Sequence, residues 1–300
     1  LAALAARLPA GVRFGSSSWN YPGWQGLVYH ERYPATGATS RMLGEYARWP
    51  LFGTVGIDST FYRPPAPETL EEYAAQLPAG FPCVSKVWDR ITIHTFGRSH
   101  PGAAGHRNDD FLNADLFSDA VYDVYRDHFA GHAGPFVFEF QAIPRSAGVS
   151  AGAFADMLDR FFDRLPRGAR YAVEIRNPEF LAPPYFAVLR GHDVAHVFNS
   201  WTHMPPIGRQ LDLPDSLTAS FTVCRALLRP GRPDPDARAS LEPFDQVRAP
   251  EPEVRHDIVR LVKATRDRDT ESYILINNRL EGCAPLTVEA LARELLEPAA

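Results

Sequence analysis

YAVEIRN, Tyr171–Asn177, begins apolar and ends polar. Its length and β-rich composition are those of a strand. Side chains two apart on a strand share a face, so Glu174 and Arg176 point the same way. Seven other runs have the same form: VRFGSSSW (Val12–Trp19), TVGIDST (Thr54–Thr60), PCVSKVW (Pro82–Trp88), FVFEFQ (Phe136–Gln141), VAHVFNSW (Val194–Trp201), ASFTVCRALL (Ala219–Leu228) and SYILINN (Ser272–Asn278). Helix-period segments separate most of them, among them SRMLGEYARW, PETLEEYAAQL, DLFSDAVYDVYRDHF, AFADMLDRFFDRL and VEALARELL. The sixth strand has the least convincing helix after it. Eight strands with intervening helices predict parallel β/α units closed into a single (β/α)8 TIM-type barrel over residues 1–300, with long loops at its C-terminal face. A doubly wound open sheet would carry a Gly-rich fingerprint after its first strand, and GSSSWNYPG is not G-x-G-x-x-G.

The totals agree. Three hundred residues, 45% of them hydrophobic, can bury a large core. A net charge of −5 gives no global attraction to nucleic acid or anionic membrane, and no apolar run approaches the ~18 residues of a spanning helix. LAALAARLPAG at the start reads as a short amphipathic helix rather than a secretory leader, because Arg7 interrupts it. The lack of an initiator Met suggests a trimmed chain or offset numbering. Cys83, Cys224 and Cys283 are odd in number and widely spaced, which predicts reduced thiols and a cytoplasmic setting.

Polar residues collect at the strand ends: Ser16 and Ser18, Asp58, Lys86, Glu139 and Gln141, Glu174 and Arg176, Asn199, Arg225, and Asn277 with Asn278. In a barrel these ends converge on the active-site face. An ion-pair plug of Asp58, Glu139 and Glu174 against Lys86, Arg176 and Arg225 would be a purely structural use of them. An apolar plug would fill the same space without desolvating six charges, so the set points to a site.

The blocks GSSSWNYPGWQGLVYH, TVGIDSTFYRPPAPET, LPAGFPCVSKVWDRITIH, YAVEIRNPEF, CRALLRPGR and YILINN resemble the signature blocks of the YecE-like family, known as domain of unknown function 72. The likeness runs from about Gly15 to the last helix. It implies a (β/α)8 barrel and brings no reaction with it. By position it points to Trp19, Tyr21, Trp24, Ser59, Thr60, Phe61, Tyr62, Lys86, Glu174, Arg176, Arg225 and Asn277. The chain departs from the pattern at Gly56, where the family usually has Glu, and at Asp58, where it usually has Asn. His94 is displaced by the interposed Ile93.

Several chemistries compete for these residues. Retaining or inverting glycosidases need two carboxylates; Glu139 fits one place, but Arg225 occupies the end of strand seven, leaving a Glu139–Glu174 pair. A metal-dependent phosphodiesterase or endonuclease-like hydrolase would use Glu139, Glu174 or Asp58 on a divalent ion, against the competing charge of Lys86, Arg176 and Arg225. His94, His100 and His106 are not at zinc spacing and read as a solvated loop. Lys86 as a Schiff-base lysine is disfavoured by nearby carboxylates. Arg225, Arg229 and Arg232 follow strand seven, where barrels commonly bind phosphate.

The leading expectation is an enzyme acting on a small anionic or polyhydroxylated metabolite. Glu174 or Glu139 serves as acid/base, Lys86 and Arg176 stabilise charge, Asp58 joins them and Arg225 anchors the anion. Asn199, Asn277, Trp19, Tyr21, Trp24, Tyr62 and Trp88 are the expected substrate-binding residues, the aromatics either rimming the mouth or capping the core. No cofactor is expected beyond a possible divalent metal, and neither membrane nor nucleic acid is an expected partner. A non-catalytic ligand-binding barrel is the other alternative.

Overall fold

The computed structural model describes all residues except 35, 98–99, 101, 229–236 and 298–300; Arg229 and Arg232 lie outside the described residues. The eight strands are β1 (Val12–Ser16), β2 (Val55–Ile57), β3 (Cys83–Lys86), β4 (Ala133–Phe140), β5 (Tyr171–Ile175), β6 (Ala195–Asn199), β7 (Phe221–Ala226) and β8 (Glu271–Ile276). They form one sheet in the order β1-β8-β7-β6-β5-β4-β3-β2, every paired neighbour parallel. Helices follow the strands in turn: Thr39–Tyr46, Pro67–Ala74, Ala114–Phe117 continuing to Asp123–His128, Ala151–Phe162, Pro183–Gly191, Ile207–Leu211, Pro252–Arg266 and Ala284–Leu296. This is the expected (β/α)8 barrel. The N-terminal helix is one turn, Ala2–Ala5. Among the described residues no helix is long and apolar enough to cross a membrane.

Several strands stop before the last polar residues read into their ends: Ser18, Asp58, Gln141, Arg176, Asn277 and Asn278 lie beyond the ladders, whereas Lys86, Glu139, Glu174, Asn199 and Arg225 lie within them. VRFGSSSW leaves the ladder after Ser16 and TVGIDST after Ile57. The polar tails turn away into loops over the C-terminal face.

Two apolar layers hold the barrel. The outer one packs strand residues such as Phe14, Phe138, Val173, Phe198, Cys224 and Ile274 against the helices. The inner one includes Val84, Val137, Ala172, Val197, Val223 and Leu275. Each of these six lies two residues before a polar position: Lys86, Glu139, Glu174, Asn199, Arg225 and Asn277. The two-residue period therefore carries the interior face from an apolar plug up to a polar floor.

The barrel is nearly closed. Between β1 and β2 there is no strand ladder among the described residues; Gly53 N–H donates to Phe14 O at 2.8 Å. Tyr46 spans the gap, its hydroxyl accepting from Ser16 N–H at 2.7 Å and donating to Thr54 O at 3.1 Å. The two backbones approach closely because the facing positions are Gly15 and Gly56. A Cβ on Gly15 would run into Thr54 O, and one on Gly56 would lie 2.8 Å from Ser17 O.

Candidate functional site

Six charged side chains from the ends of five strands meet on the polar floor. Arg225 of β7 is central. Its Nη1 donates to Glu139 Oε2 at 2.8 Å and to Glu174 Oε2 in a shorter contact, while Nη2 reaches Asp58 Oδ1 at 3.2 Å and Oδ2 at 3.3 Å. Arg176 Nη2 lies 2.6 Å from Glu174 Oε1 and 3.2 Å from Glu139 Oε2. Lys86 Nζ lies 3.0 Å from Glu139 Oε2, and Gln141 donates to Glu139 Oε1 at 2.8 Å. Two rings pin the cations: Lys86 Nζ sits 3.7 Å from the centre of Phe61, and the Arg176 guanidinium 4.0 Å from that of Trp201.

The cluster balances three acids against three bases in a nearly dry setting. Glu174 has no exposed side-chain surface and Arg225 only 2%. Asp58 differs, with 31% of its side chain exposed. Burial alone would raise the Glu139 pKa, but the charges of Arg176, Lys86 and Arg225 outweigh it and hold the carboxyl well below its usual range. Burial likewise works to lower the Arg225 pKa, and Glu174, Asp58 and Glu139 more than reverse that. Both oxygens of Glu139 are engaged by donors, so it stays ionised and makes a poor proton donor.

The remaining expected residues divide. Asn199 is buried; its Oδ1 takes the Trp201 N–H at 3.2 Å and lies 3.5 Å from Arg176 Nη1, which ties it to the cluster. Trp88 is half-buried beyond β3, where it precedes the short helix Asp89–Thr92 and packs against the outer core. Tyr62 is 74% exposed, edge-on to Phe61. Asn277 uses its Oδ1 to accept from Arg279 N–H and cap the helix Asn278–Glu281. Trp19 and Trp24 are buried: Trp19 donates to Thr39 O at 2.8 Å and packs on Tyr73, while Trp24 stacks with Tyr29 and Tyr46. Tyr21 is half-buried between Trp24 and Phe244. Of the two uses open to SSSWNYPGWQG, these rings take the capping one, and the exposed aromatic surface comes from Tyr62.

The loop after β3 is less solvated than expected. His94 is buried edge-on against Phe111, and burial lowers its pKa. His100 Nε2 lies 3.1 Å from Asp89 Oδ2. His106 is exposed. Among the described residues no three His, Cys, Asp or Glu side chains are grouped so as to hold a metal ion. Trp201, over Arg176, is the contact that sequence reading does not single out, although alternation from Asn199 reaches it. Gln141 reads on the face of Glu139, and Phe61 is among the positions the family resemblance points to, but its contact with Lys86 is made across strands and leaves no local signal.

Solved structures similar to the chain include a DUF72 family protein from Thermotoga maritima, 18% identical, with 95% of this chain and 99% of that one covered at a TM-score of 0.64. Another from Enterococcus faecalis is 15% identical, with 96% and 97% covered at a TM-score of 0.64. At such identities the likeness speaks for the fold alone. No curated protein matches the chain. The family described as "Protein of unknown function DUF72" matches residues 13–300. That span takes in all eight strands but for Val12, and every charged residue of the cluster, and the chain belongs to the DUF72, or YecE-like, family.

Proposed function

We propose that the protein is an enzyme acting on a small anionic or polyhydroxylated molecule at the C-terminal face of the barrel. One observation carries the reading: five buried charges and the partly exposed Asp58 meet where a barrel places its chemistry, and apolar side chains would fill that space at lower desolvation cost. The roles follow from exposure and partners. Glu139 and Glu174, sealed on Arg176 and Arg225, are positioning residues that fix the guanidinium groups. Arg225 and Lys86 supply preorganised positive charge for an anionic group or a developing oxyanion. Asp58 is the carboxylate that a bound molecule reaches, and it takes the acid/base role expected of Glu139 or Glu174.

The test is a turnover screen of hydroxy acids, phosphate esters and sugars, with products followed by mass spectrometry, run on the wild type and on Asp58→Asn. The variant should keep its fold and lose about 100-fold or more in turnover of whichever substrate is found, the usual contribution of a positioned acid/base group. A fully active variant would overturn the role of Asp58. Absence of turnover across all three classes would overturn the enzyme reading.

A further inference from the structure

Arg225 is held unequally on its two sides. Nη1 is saturated by two buried carboxylates, those of Glu139 and Glu174. Among the described residues Nη2 has Asp58 as its ion-pair partner, at 3.2 Å and 3.3 Å. Asp58 is also the exposed member of the cluster, with 31% of its side chain accessible against 6% for Glu139 and none for Glu174. It follows β2 directly and opens the short turn Ser59–Phe61. The carboxylate is thus delivered from a loop, while its two acidic neighbours sit on strands.

The charge count gives this asymmetry a consequence. With Asp58 in place, three acids balance three bases. Were Asp58 to move away, Lys86, Arg176 and Arg225 would face only Glu139 and Glu174, leaving a single positive charge in a buried setting where unpaired charge is costly. An arriving group with one negative charge and two or more oxygens would restore the balance. It would meet the outward edge of a planar guanidinium suited to such groups. Lys86 Nζ, which has three N–H donors, stands on Glu139, one of the two carboxylates that hold Arg225 Nη1.

We propose that Asp58 is an internal stand-in for the ligand's anionic group, a carboxylate or a phosphate, which binds by displacing the Asp58 carboxylate from Arg225 Nη2. This rests on the reading of the barrel mouth as a binding site and narrows it to ligands carrying an oxyanion. Asp58 then has two consequences. It keeps the empty site neutral and weakens binding by competing, and once displaced it lies beside the bound molecule as a free base.

Isothermal titration calorimetry at low ionic strength tests this with lactate, inorganic phosphate and glucose against the wild type, Asp58→Asn and Asp58→Glu. The Asn variant keeps the shape and removes the competing charge, so at least one of the two anions should bind about tenfold more tightly or better. The Glu variant keeps the charge and should bind both anions as weakly as the wild type. Glucose should respond to neither substitution. A gain for lactate alone or phosphate alone identifies the group the site takes. No gain for either anion in Asp58→Asn, or an equal gain for glucose, overturns the proposal. Circular dichroism confirms folding, and Asp58→Ser replaces the Asn variant if needed. Binding is read without turnover, so displacement stands or falls separately from the enzyme reading.

Discussion

Glu174 and Asp58 both pair with Arg225, yet they should respond differently to truncation. Glu174 is fully sealed, and removing it leaves Glu139 as the one buried carboxylate for Arg176 and Arg225, with only the partly exposed Asp58 beside it. Breaking a buried pair in this way typically costs about 3–5 kcal/mol, so Glu174→Ala should lower the free energy of unfolding in guanidinium chloride by that order. Asp58→Ala removes a partly exposed partner at longer range, one that water can replace in part, and should cost less, about 1–3 kcal/mol. Equal losses in the two variants would show that exposure does not separate their roles. These residues were legible because the strand period is two: Val137, Glu139 and Gln141 share a face, as do Ala172, Glu174 and Arg176. Which carboxylate faces solvent was not legible, since that depends on where the Asp58 loop lands against a strand 167 residues away. Trp19 and Trp24 failed to declare themselves for the same reason. They lie in a loop, and no period says whether a loop ring turns inward.

At the scale of the element, β6 and its following helix account for the weakest part of the sequence reading. The helix Ile207–Leu211 has only five residues, too short to show a 3.6-residue apolar period. Much of its work is done by one buried amide. Gln210 Nε2 donates to Asn199 O at 2.7 Å and Pro205 O at 2.6 Å, while its Oε1 lies 3.3 Å from both Asn199 N and His196 Nε2. Since that oxygen can only accept, His196 Nε2 carries a proton, while Nδ1 lies 3.0 Å from the Tyr185 hydroxyl, which also lies 3.4 Å from Val173 O. The imidazole is buried. Burial pushes its pKa down from 6.5 to about 4, the Gln210 hydrogen bond opposing only in part. The folded-state value lies below the unfolded one, so this stabilisation is present above pH 6.5 and is lost as the pH falls toward 4. The full difference is about 3 kcal/mol. Unfolding free energies measured between those pH values should slope upward with pH in the wild type and lose most of that slope in His196→Asn. An unchanged slope would place the titrating group elsewhere.

For the whole molecule, the count of strands was enough to name the barrel, because eight parallel strands with crossover helices have few other arrangements. The seam where the ring closes was not legible. A sequence shows which runs become strands, and the ladder between the first and the second is decided by how closely their backbones can approach. Gly15 and Gly56 set that approach. At Gly56, where the family pattern usually carries Glu, any side chain would press on Ser17, so an acid at this position would require β1 to sit farther out. The chain instead has its carboxylate two residues on, at Asp58, on the same face and within reach of Arg225. The bridging hydroxyl of Tyr46 is the other half of the closure, because it satisfies Ser16 N–H and Thr54 O, which no ladder bond joins. Tyr46 is fully buried and its ring stacks on Phe52 at 4.2 Å, so Tyr46→Phe keeps the packing and removes only the bridge. Two buried backbone groups then lose a partner, at a cost of about 1–3 kcal/mol. The loss should be local in its first effects: amide hydrogen exchange should speed at Ser16 and Gly53 on the seam while the β4–β5 and β7–β8 ladders keep their protection. Uniformly faster exchange around the ring would mean that the seam is not a separate point of closure and that Tyr46 stabilises the barrel only as part of its general core.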